Sequence, residues 1–130
     1  MRITYDETYE GPLAIFGSEL VQMIKGGDYD RISDRFGYAL AFDRPPADAI
    51  AVAIKRCLTG DGRSAVINLD AEARILVKYF KQPNSINLFG LVECFLPLDQ
   101  DEGEMLAELI VATAEGKFHV GLEDISYAAP

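Results

Sequence analysis

The chain has 130 residues, 49% hydrophobic and 25% charged, enough apolar material for one core and too little like charge for disorder. Its net charge of −9 disfavours direct binding of nucleic acid or anionic lipid, and no stretch approaches the length of a membrane span. Residues 1–92 hold twelve acids against eleven Lys and Arg, whereas residues 93–130 hold nine acids against Lys117 alone, so nearly all of the excess lies in the last third.

In chain order, Ile3 and Tyr5 alternate with polar neighbours in MRITYDET, which predicts a short first strand. Leu13, Phe16, Leu20 and Ile24 recur at helical spacing after Pro12, and Gly26-Gly27 follows, so a helix is predicted over about 12–25. Tyr29, Ile32, Phe36 and Leu40 extend a second helical pattern to about Gly37, although GYALAF taken alone also reads as a strand. Asp43-Arg44-Pro45-Pro46 opens a third helix with Ile50, Ile54 and either Cys57 or Leu58 inward, closed by Gly60-Asp61-Gly62.

SAVINLD, ARILVKYF and SINLFGLVECFL are rich in β-branched and aromatic residues and predict three consecutive strands. Their short links, Asp70-Ala71-Glu72 and Gln82-Pro83-Asn84-Ser85, predict an antiparallel meander. In the second strand Ile75, Val77 and Tyr79 share one face and Leu76, Lys78 and Phe80 the other, and Gly90 marks a bulge in the third. A last helix is expected over about 102–115, stopped by Gly116, with FHVGLEDISY returning as a strand. The expected fold is a single α+β domain over 1–130, an antiparallel β-meander with helices packed on one face.

The segment LDQDEGEMLAEL, residues 98–109, concentrates Asp99, Asp101, Glu102, Glu104 and Glu108. A calcium loop counted from Asp99 would need glycine sixth and glutamate twelfth, and those places hold Glu104 and Ile110. The alternative use is structural: Asp101 as a helix N-cap with Glu104 reaching back, leaving Met105, Leu106, Leu109 and Ile110 inward. Capping leaves Asp99, Glu102, Glu108, Glu123 and Asp124 without a sequence neighbour of opposite sign, which suggests either a solvated face or a surface for a basic partner.

Signals for chemistry are weak. His119 and Glu123, four apart in a strand, share a side of the sheet about 13 Å apart. One histidine and two separated cysteines do not make a zinc site, so no metal and no cofactor are expected. Gly17-Ser18-Glu19 lacks the nucleophile-elbow pattern, and Gly60-Asp61-Gly62-Arg63 lacks the ending of a phosphate loop. Cys57 and Cys94 sit among apolar neighbours, as reduced packed thiols do. The acidic MRITYDETYE is unlike a signal peptide, so a cytoplasmic location is expected.

In size, acidity and α+β make-up, and in the look of YEGPLAIFGSEL (9–20) and RFGYALAFDRPPADAI (35–50), the chain resembles the immunity proteins that bacteria make against secreted or contact-delivered toxins. That resemblance implies a non-enzymatic monomer in a one-to-one complex, its carboxylates occupying the basic cleft of a toxic nuclease, with fast and salt-sensitive association. The residues expected to bind are Asp99, Asp101, Glu102, Glu104, Glu108, Glu123 and Asp124, with Tyr127 or Tyr79 as an aromatic anchor. The chain is also similar to type III secretion chaperones, homodimers that hold effector segments in apolar grooves. A third class, an enzyme or small-ligand binder, would show a deep pocket with convergent polar groups.

Overall fold

The computed structural model describes residues 1–81 and 87–130; the expected link at 82–85 lies outside the described residues. The elements run β1 (Arg2–Ile3), α1 (Glu10–Gly26), α2 (Tyr29–Phe36), α3 (Pro46–Thr59), β2 (Arg74–Tyr79), β3 (Leu88–Pro97), β4 (Glu104–Ala114) and β5 (Lys117–Ala128). All strands belong to one antiparallel sheet in the order β1-β5-β4-β3-β2, so the meander β2 to β5 is closed at its far edge by the N-terminus.

Each helix forms where apolar spacing and end signals agree. In α1, Leu13, Phe16, Leu20 and Ile24 are buried, and Gly27 at φ 70 ends it, with the Gly27 and Asp28 N–H groups donating to the Ile24 and Met23 carbonyls. Ile32 and Phe36 anchor α2. The following Ala39–Ala41 is a single tight turn of 3-10 helix, so GYALAF forms no strand among the described residues. In α3, Pro46 occupies the first turn, and Cys57, rather than Leu58, completes the buried stripe with Ile50 and Ile54.

The three helices cover one face of the sheet. Their apolar stripes meet Val92, Cys94 and Leu96 of β3, Met105, Ala107, Leu109 and Val111 of β4, and Val120, Leu122 and Ile125 of β5. The approach is close at Gly17, where an added Cβ would lie 3.0 Å from side-chain atoms of Ile75 and Val92. Both cysteines are buried and unpaired, and burial pushes the Cys94 thiol up to about 12.

Two expected elements are corrected. The segment SAVINLD makes only one bridge, Ile67 to Leu98, because the Asn68 side chain then accepts from the Asp70 and Ala71 N–H groups and turns the chain away. The expected helix over 102–115 is strand β4, paired along its length with β3 and β5. Asp101 is therefore not a helix N-cap. It lies at φ 55 in the Asp99–Asp101 turn, and Glu104 pairs with Arg74 at 2.9 Å instead of reaching back. The inward set is Met105, Ala107, Leu109 and Val111, leaving Leu106 and Ile110 on the opposite face. Gly90 does mark an irregularity, since the β3–β4 register shifts between Leu88 and Gly90.

Candidate interaction face

The side of the sheet away from the helices is open, and the register fixes what it displays. One row across it reads Leu76, Glu93, Glu108 and Asp124 on β2, β3, β4 and β5. The row on one side reads Arg74, Phe95, Leu106 and Ser126, and that on the other reads Lys78, Leu91, Ile110 and Gly121. The face is thus a line of carboxylates between two partly apolar rows.

Directly opposed residues on neighbouring strands stand about 4.5–5.5 Å apart at Cβ, and like charges placed so are destabilising. Glu93 and Glu108 are such a pair. Burial, then Glu93, Asp124 and Glu123, push the Glu108 pKa above the ordinary carboxylate range, against a smaller opposing pull from Lys78. The Glu93 side chain is only 13% exposed; Lys78 Nζ lies 2.5 Å from its Oε1, an ion pair, yet that buried oxygen accepts no well-aligned hydrogen bond. At the rim, a bulge leaves Glu123 unpaired between Asp124, opposite Glu108, and Leu122, opposite Leu109, which crowds two acids against one.

Cations compensate only one flank. Arg74 pairs with Glu104 and stacks over the Phe95 ring at 4.4 Å. Leu76 is 40% exposed beside it. Among the described residues, no three His, Cys, Asp or Glu side chains converge closely enough to hold a metal ion.

The expected binding residues separate into two groups. Glu104 and Glu108 lie on the open face, with Glu123 and Asp124 at its β5 rim. Asp99 and Asp101, both exposed, sit on the turn joining β3 to β4, and the Glu102 carbonyl accepts from the Tyr127 hydroxyl at 2.8 Å. Neither tyrosine lies on this face. Tyr127 packs on the helix side with the Arg63 guanidinium 3.5 Å over its ring, and Tyr79 donates to the Thr8 carbonyl and meets Phe89 edge-on. Sequence reasoning missed Glu93, Lys78 and the apolar flanks Leu91, Phe95, Leu106 and Ile110. The alternation in LFGLVECFL carried the signal, since Leu91, Glu93 and Phe95 fall two apart.

No described helix is long and apolar enough to cross a membrane. No known family, curated protein or solved structure matches the chain.

Proposed function

We propose that the chain is a protein-binding module that docks a basic protein surface on the open face of its sheet, and that it acts as a cytoplasmic immunity protein neutralising a basic toxin domain such as a nuclease. The observation that carries this reading is the opposed pair Glu93 and Glu108, like charges at one cross-strand position with Lys78 paired to Glu93 and Asp124 adding repulsion from β5. A cation delivered from outside relieves that repulsion, so the free chain is electrostatically prepared for a positive partner. Leu91, Phe95, Leu106 and Ile110 around the row supply apolar contact area, and Phe95 under Arg74 is a ready aromatic anchor.

The same row argues against self-pairing through this face. A two-fold dimer would set one acidic line against its copy, which adds repulsion rather than relieving it. A one-to-one complex follows.

The test is protection in cells. Basic toxin domains encoded in the same operon are co-expressed with the chain or with a Glu93→Lys, Glu108→Lys variant. The wild type restores growth against one of them and the double variant does not. Protection by none of these domains overturns the immunity reading; equal protection by the variant moves the docking site off this face.

A further inference from the structure

An apolar-walled hollow lies between α3, the 38–44 turn and the end of β5, with a volume of about 510 Å³, within the range of small-molecule sites. Its walls are mainly apolar, with Leu40, Val52, Ala53 and Ile125 among them, and Phe42 stands at the mouth, 81% exposed. Its polar groups are unlike the rest of this acidic molecule. Arg44, Arg56 and Arg63 line it against Asp61 and Asp124, a formal excess of one positive charge in a chain of −9.

Arg63 is spent on structure: it stacks on Tyr127, pairs with Asp61 and donates to the Cys57 carbonyl. Arg44 is steered by long 3.4 Å contacts to the Ala41 and Leu40 carbonyls. Arg56 is different. Among the described residues its guanidinium has no hydrogen-bond or ion-pair partner, and neither does the half-buried Tyr38 hydroxyl. Burial and then Asp124 raise the Tyr38 pKa, while Arg44 and Arg56 both pull it down, so both guanidinium charges reach the same phenol. Two cations and a neutral O–H donor thus gather beside an apolar wall.

We propose that this cleft binds a small amphipathic carboxylate, its anionic head held by Arg44, Arg56 and the Tyr38 hydroxyl and its aliphatic or aromatic body laid along Val52, Ala53 and Leu40. Guanidinium groups and a phenol O–H are donors that match a carboxylate, whereas an amine would meet two like charges. Asp124, on the β5 side, disfavours a head group there and directs it toward α3. The cleft meets the open face only along the β5 edge, at Asp124 and Ser126, and Tyr38, Arg44 and Arg56 are not part of that face, so it stands whether or not a basic partner docks there.

Octanoate, octanol and octylamine serve as probes, titrated into the full chain while backbone amide shifts are recorded by NMR. Octanoate is expected to bind saturably, with shifts at Tyr38, Val52 and Arg56, and both other probes at least tenfold more weakly. Arg56→Gln and Tyr38→Phe, which remove groups without a partner in the fold, should each weaken octanoate by about tenfold, the scale of a charge-assisted hydrogen bond. Equal binding of all three probes, shifts confined elsewhere, or octanoate affinity unchanged in Arg56→Gln would overturn the proposal.

Discussion

Glu108 shows how one residue records the conflict built into the open face. Its folded pKa is raised, so between the ordinary carboxylate range and that raised value the folded chain holds a proton that the unfolded chain has released. Stability therefore falls as pH rises through this window. Glu108→Gln removes the charge without removing the side chain, and should stabilise the protein near neutral pH by about 0.2–1 kcal/mol, the scale of a cross-strand pair. It should also flatten that part of the pH profile. Urea unfolding of both proteins from acidic to neutral pH measures this; a Gln variant less stable than wild type at neutral pH would refute the repulsion. Gly103 makes the opposite case, where the side chain must be absent. At φ 98, an added Cβ would come 2.4 Å from the Ala128 carbonyl oxygen, in the turn that Tyr127 ties through the Glu102 carbonyl. Gly103→Ala should cost about 1–3 kcal/mol, read as a lower urea midpoint, because the strained φ and the clash with backbone act together.

Among elements, α1 and β4 set the limits of what sequence reveals. The α1 stripe was legible because burial demanded a helical period and Gly27 marked the end. What the stripe did not reveal is that α1 comes close to the sheet at Gly17, with the Gly17 carbonyl 3.7 Å from Cys94 Sγ. Gly17→Leu should destabilise by about 1–3 kcal/mol through overpacking against Ile75, Val92 and Cys94, measured by thermal or urea unfolding. In β4, EMLAELIVATA satisfies both periods at once: Met105, Leu106, Leu109 and Ile110 fit a helix, and Met105, Ala107, Leu109 and Val111 fit a strand. Good helix formers at its start favour the first pattern, and only the neighbours β3 and β5, pairing on both edges, decide for the second. SAVINLD failed for the reverse reason, since its β-branched residues promise a strand and Asn68 turns the chain after one bridge. The candidate face inherits both errors. Its acidity was legible in the composition of residues 93–130, but the row of Glu93, Glu108 and Asp124 exists only through cross-strand register, which no local pattern encodes.

Over the whole molecule, the sheet separates two surfaces of opposite character. One side is covered by helices and holds the arginine-rimmed cleft; the other carries Glu93, Glu108 and Asp124 in one cross-strand row beside apolar side chains. A molecule so arranged should remain a 14.3 kDa monomer in sedimentation equilibrium, because pairing through the open face would oppose acid to acid. A stable dimer that persists at low salt would require another interface or another occupant of that face. Association with a basic partner should slow as salt rises, since screening shortens the reach of the field to about 10 Å at 0.1 M.

The most direct measurement is an amide-shift map of the chain with an arginine-rich peptide, repeated with Glu93 and Glu108 both changed to Gln. Docking on the open face gives shifts centred on Leu91, Glu93, Phe95, Leu106, Glu108 and Ile110, lost in the double variant. Shifts confined to the helices or to the Asp99–Asp101 turn, or a map that the double variant leaves unaltered, would contradict the account.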